Sequence, residues 1–188
     1  MFRNLLKRSF TIGAILFITL NCYAQVELKN QAVANLTLGV TEVSLLKVNS
    51  GVISLLLNQR DAGMSIENSN ADSTARLIVS SLISSVPRTL TAHISSGAVP
   101  QGTYLMLAAL IPNSTFVGSW GSLGTPIILD ETDRPFVTNI ESCYSGTTAS
   151  DGYPLKFIFG IDLNTSTYGL IRATIGNSVT VTLTLSSD

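Results

Sequence analysis

The chain has 188 residues, 45% of them hydrophobic and only 12% charged, with 11 Lys and Arg against 12 Asp and Glu and a net charge of -1. Such a balance excludes the basic surface that nucleic acid and anionic lipid select. High apolar content with few charges excludes a disordered chain, and polarity carried mainly by Ser and Thr suits sheets with hydroxyl-rich outer faces.

The first stretch, MFRNLLKRSFTIGAILFITLNCYAQ, has a basic head in Arg3, Lys7 and Arg8 and an apolar run over 10–20 that is short for a bilayer-spanning helix. This predicts a secretory signal peptide over 1–24, cut after Ala24, and one domain over 25–188. Lipid attachment at Cys22 is the competing reading, disfavoured by Asn21 directly before it. Of the 11 basic residues three lie in this leader, leaving eight against 12 acidic ones, a net of about −4. No second apolar span follows, so no integral membrane span is expected, and the destination is the periplasm, the cell surface or the medium. Of two cysteines only Cys143 would remain. An intrachain disulfide is then excluded, and Cys143 is a free thiol, either buried as a small hydrophobe or drawn into an intermolecular disulfide.

After the leader, Val26 and Leu28 alternate within a polar stretch, a leading edge strand or a flexible start. Leu36, Leu38 and Val40 alternate, and Val43 and Leu45 resume after a break, which predicts a strand with a bulge or a change of sheet. Asn49-Ser50-Gly51 reads as a turn and Ile53, Leu55 and Leu57 as the next strand. The turn-rich stretch 58–72 holds one short candidate strand at Met64 and Ile66. A strong strand over 76–82 ends at Ser84-Ser85-Val86-Pro87, and Leu90, Ala92 and Ile94 then alternate with Thr89, Thr91 and His93. The run 103–111 is apolar on both faces. It contains helix formers, but Gly102 and Pro112 bracket it tightly, which favours an inner strand.

The Gly- and Ser-rich stretch 113–126 carries Phe116 and the single tryptophan, Trp120. Short strands over 127–129 and 136–140 flank the acidic loop Asp130-Glu131-Thr132-Asp133. After a loop over 145–154, Leu155, Phe157, Phe159 and Ile161 alternate; 164–167 turns and 168–173 extends. The last stretch, SVTVTLTLSSD, sets Val179, Val181, Leu183 and Leu185 on one face and Thr180, Thr182 and Thr184 on the other. It is expected to close a sandwich. Roughly eight to ten short strands with turns between them predict an all-β chain forming a single immunoglobulin-like or jelly-roll β-sandwich.

Chemistry is sparse. His93, the single histidine, shares a solvent face with Thr91 and Ser95, no GxSxG elbow surrounds any serine, and no base is indicated beside Cys143. The expectation is no catalytic residue, no cofactor and no enzyme. Asp130, Glu131 and Asp133 in one loop, with Asp151 in another, offer hard oxygen ligands for calcium. The EF-hand spacing is absent, and a solvated turn is the plainer account. Trp120, Phe116, Tyr144 and Tyr153 could stack on a sugar ring or anchor an interface; equally, Trp120 and Phe116 could fold down to plug the sandwich.

PRTLTAHISSGAVPQGTYL, then a glycine-rich loop, TNIESCYSGTTASDGYPLKF and the final VTVTLTLS resemble a group of secreted Gram-negative bacterial β-sandwich proteins without assigned activity. That group is similar in plan to fimbria-like and cell-wall-associated surface domains. The resemblance covers the C-terminal half to two-thirds of the chain and implies no catalytic residue. The chain departs from pilins assembled by a chaperone and usher in lacking their paired cysteines, and its own C-terminal strand is available to complete its sandwich. The expected function is a secreted or cell-surface structural or adhesion-type module. The alternative is a carbohydrate-binding module using the loop aromatics around Trp120. Expected partners are a cell-surface protein or a glycan, with self-association through sheet edges and no nucleic acid.

Overall fold

The computed structural model describes residues 34–50, 52–58, 61–113, 115–162, 165–174 and 176–187. The expected leader and the alternation at Val26 and Leu28 lie outside the described residues. The chain divides into two units, Met1–Gly39 and Val40–Asp188.

The second unit is all-β, its strands forming two sheets in a sandwich arrangement. In chain order they are β1 (Val43–Asn49), β2 (Ser69–Asp72), β3 (Arg76–Leu82), β4 (Arg88–Ser96), β5 (Thr103–Ala109) and β6 (Val117–Gly118). There follow β7 (Ser122–Leu123), β8 (Ile127–Ile128), β9 (Arg134–Ile140), β10 (Cys143–Tyr144), β11 (Tyr153–Ile161), the single-turn helix α1 (Thr165–Tyr168) and β12 (Thr180–Ser187). One sheet runs β6-β10-β3-β11-β5-β8, with β1 alongside β3 and β2 alongside β11; the other runs β12-β4-β9-β7.

Alternation explains the long strands. Leu77 and Val79 of β3, Ala92 of β4 and Leu155 of β11 are completely buried while their neighbours are half-exposed, and Leu90 of β4 is completely buried beside a buried Thr89 and a half-exposed Thr91. In β9 two successive residues, Phe136 and Val137, both turn inward. The β4–β9 register shifts on either side of Leu90, and such an irregularity re-aims side chains.

The centre of the larger sheet has a seam. β3 pairs with β1 along its whole length, but on its other side Ser80 and Ser81 pair with β10 while Arg76 and Leu77 pair with β11. Ser145 bridges the handover. Its N–H donates to Val79 O at 3.0 Å, and its Oγ accepts the Val79 N–H at 2.9 Å. Gly152, at φ 85, makes the turn into β11, where a Cβ would strike the Leu77 carbonyl.

Four expectations are corrected. Leu36, Leu38 and Val40 join no strand among the described residues and are 81%, 90% and 86% exposed. Ile53, Leu55 and Leu57 are half-buried on one side of an extended segment, but no ladder forms there. Near Met64 and Ile66 there is likewise no strand; the strand is β2, whose Ser-Asn-Ala-Asp carries no large apolar residue and is held by pairing Asp72 to Ser69 against Phe157 to Gly160. The stretch 168–173 is not extended. The Leu170 N–H turns back to Thr167 O and that of Ile171 to Tyr168 O, and the Arg172 guanidinium donates to the Gly169 and Ile171 carbonyls.

β12 lies antiparallel on β4; its Val181, Leu183 and Leu185, with Val179 just before it, pack on the core but are only half-buried. The terminal strand therefore joins the sandwich without sealing it.

Candidate functional site

Three of the four aromatic residues expected to offer stacking faces come together. The Phe116 ring meets Tyr153 edge-on, with centroids 5.2 Å apart and planes at 66°, and the Tyr153 hydroxyl donates to the Trp120 carbonyl. Tyr153 is 0% exposed. Burial raises its phenol pKa, and Cys143 beside it adds to the effect. The structure places this expected ligand-binding residue inside, with no ring face exposed. Phe116 and Trp120 are half-buried and pack against the core. Tyr144, on β10, is exposed.

The acidic loop does not converge. Asp130 is held by the Arg134 guanidinium and accepts the Thr132 N–H at 2.8 Å. The Arg134 bond, more than the Thr132 one, lowers its pKa to about 2. Asp133 turns instead to His93 Nδ1 at 2.8 Å and to the Thr91 hydroxyl at 3.3 Å, while Glu131 is exposed. Among the described residues no group of three His, Cys, Asp or Glu stands close enough to hold a metal ion. His93 and Asp133 resemble two thirds of a hydrolytic triad. The nearby hydroxyls of Ser95 and Thr182, however, bond each other at 2.8 Å rather than the imidazole.

Cys143 is a free thiol and is buried. Burial pushes its pKa up to about 11 against the smaller opposing effect of a backbone hydrogen bond with Ser81, so its reactive thiolate is scarce at neutral pH.

Asp151, grouped in sequence with the calcium candidates, is an internal brace. Its buried carboxylate accepts the Thr148 N–H at 2.7 Å and the Thr115 hydroxyl at 2.9 Å. These bonds, that of Thr148 first, hold its pKa at about 2. Gly146, at φ 92, turns the loop beneath it, and a Cβ there would collide with the carboxylate.

The feature that sequence reasoning missed is a cleft of about 750 Å³ between the sheets. Leu105, Phe157 and Phe159 line it from one sheet and Val179, Val181 and Leu183 from the other, with Ile53 and Leu55 of the segment 52–58 also on its wall. Among the described residues none that lines it is titratable. Its mainly apolar wall can accept apolar side chains. The available signal was the alternation of Ile53, Leu55 and Leu57, which has the pattern of a strand but joins no ladder among the described residues.

No described helix is long and apolar enough to cross a membrane. Compared with models of protein families, with curated proteins and with solved structures, the chain gives no match.

Proposed function

We propose that this chain is a non-enzymatic structural or adhesion-type module, exported by a Gram-negative bacterium through the leader over 1–24 to act at or beyond the cell surface. The sandwich is of the immunoglobulin-like or jelly-roll kind. One observation carries this reading: the sheets enclose a mainly apolar cleft of about 750 Å³ whose described lining residues include none that titrates, suited to holding a chain rather than transforming a substrate. The buried thiol of Cys143 and the pairing of the Ser95 and Thr182 hydroxyls with each other rather than with His93 support it from the side of chemistry. Glycan binding through Trp120 gains no support, since Trp120 and Phe116 pack on the core and Tyr153 lies beneath them. The test joins fractionation with assay. The protein should leave the cytoplasm shortened at its N-terminus, and purified material should hydrolyse nothing in a panel of glycans and peptides. Cytoplasmic retention of the intact chain, or turnover at enzymatic rates, would sink the proposal.

A further inference from the structure

The cleft has an open margin at β12. One edge of that strand pairs with β4, and among the described residues no strand pairs with the other. β1 passes beside this edge without forming a ladder with it, its Ser44 hydroxyl donating to Leu185 O at 3.3 Å. Beyond it Val179, Val181 and Leu183 face the cleft, three side chains at a period of two. Their spacing along the strand is about 7 Å.

A second set of three has the same spacing and no cover. Leu36, Leu38 and Val40 are 81%, 90% and 86% exposed. Three large apolar side chains at a strand period, all in water, form a surface that association should remove. Only Thr41 and Glu42 separate Val40 from β1. Glu42 is tied down, accepting the Ser84 N–H at 2.9 Å and facing Arg88 at 3.5 Å. Thr41-Glu42 is also no tight-hairpin sequence. The simplest partner for the segment is therefore a cleft on another molecule.

We propose that a second copy of this chain lays its segment 35–40 along the free edge of β12 and seats Leu36, Leu38 and Val40 in the cleft. The backbone of the segment supplies the missing ladder, and its alternate side chains fill the apolar space. Thr37 and Gly39 face outward. The contact rests on the reading of the chain as a structural module and names its partner as the same chain.

The experiment is sedimentation velocity over a range of concentrations on the full chain exported with its own leader, beside Leu38→Asp and, as the outward-facing control, Thr37→Asp. The expected result is concentration-dependent association that Leu38→Asp weakens on the order of 100-fold and Thr37→Asp leaves unchanged, without altering circular dichroism. A synthetic peptide of residues 34–41 should bind the Leu38→Asp protein and block association of the parent. A parent that stays monomeric at every concentration, or association indifferent to Leu38→Asp, would overturn the proposal. So would a monomeric parent whose melting temperature falls on Leu38→Asp, since the segment would then dock on its own chain. An exported, non-hydrolytic protein that is monomeric loses this inference alone; an associating protein that hydrolyses a glycan loses only the functional reading.

Discussion

Replacing Ser145 by alanine deletes one oxygen from the seam where β10 hands over to β11 along β3. Ser145 and Val79 are both completely buried, and Ser145 Oγ accepts the Val79 N–H at 2.9 Å. Alanine keeps the backbone bond from Ser145 N to Val79 O and leaves the Val79 N–H without an acceptor. A buried donor left unpaired costs about 1–3 kcal/mol. In a domain of this size that is a fall in melting temperature of about 3–10 °C. Thermal melts followed by circular dichroism measure the loss, with Ser122→Ala, at an exposed position of β7, as a control expected to stay within about 0.5 kcal/mol. Amide exchange gives the local reading, since Val79 should lose protection before the rest of β3. A Ser145→Ala protein melting within about 1 °C of the parent, with Val79 still protected, would refute the account of the seam.

Lowering the pH should unfold the protein partly through Asp151. Its folded pKa of about 2 lies below the unfolded value of about 3.9, so its contribution is present above that value and is lost as the pH falls towards 2. Asp151→Asn should flatten this limb of a plot of melting temperature against pH and lower the plateau at neutral pH. Cys143 should resist a thiol reagent at pH 8 in the folded protein and react at once in denaturant; rapid labelling of the folded state would contradict its burial. Val181→Asp, which puts a carboxylate on the cleft wall, should cost about 1–3 kcal/mol, whereas exposed Thr184→Asp should cost no more than about 0.5 in the same urea titration.

Strands whose two faces differ could be read from the sequence. β3, β4, β11 and β12 alternate because one face meets the core, and their side chains record that at a period of two. β2 could not be read, because Ser-Asn-Ala-Asp becomes a strand only through its ladder with β11. The two-residue strands β6, β7 and β10 are likewise products of what lies beside them. Leu36 to Val40 fails in the opposite sense, since the pattern is present and no strand forms there among the described residues. At the candidate site, strand logic grouped His93 with Thr91 and Ser95, and the structure sets the Thr91 hydroxyl beside the imidazole on one carboxylate. That this carboxylate belongs to Asp133, while Asp130 turns to Arg134, depends on how the loop over 130–133 crosses the sheet. Three acidic residues close in sequence carry no information about that.

The two sheets guard their margins unequally. The edge beside β11 is capped by the short polar strand β2, whereas the β12 edge offers Thr-Val-Thr-Leu with no strand laddered to it among the described residues, although β1 passes near Leu185. A contact in which one open edge receives a separate segment joins unlike surfaces, so pairing two copies consumes one edge and one segment and leaves one of each. Unless two copies exchange segments reciprocally and so close on each other, growth by such a contact has a direction. A copy lacking residues 34–40 could accept a neighbour but never donate to one, and would act as a chain terminator whose dose sets the mean length of the assembly.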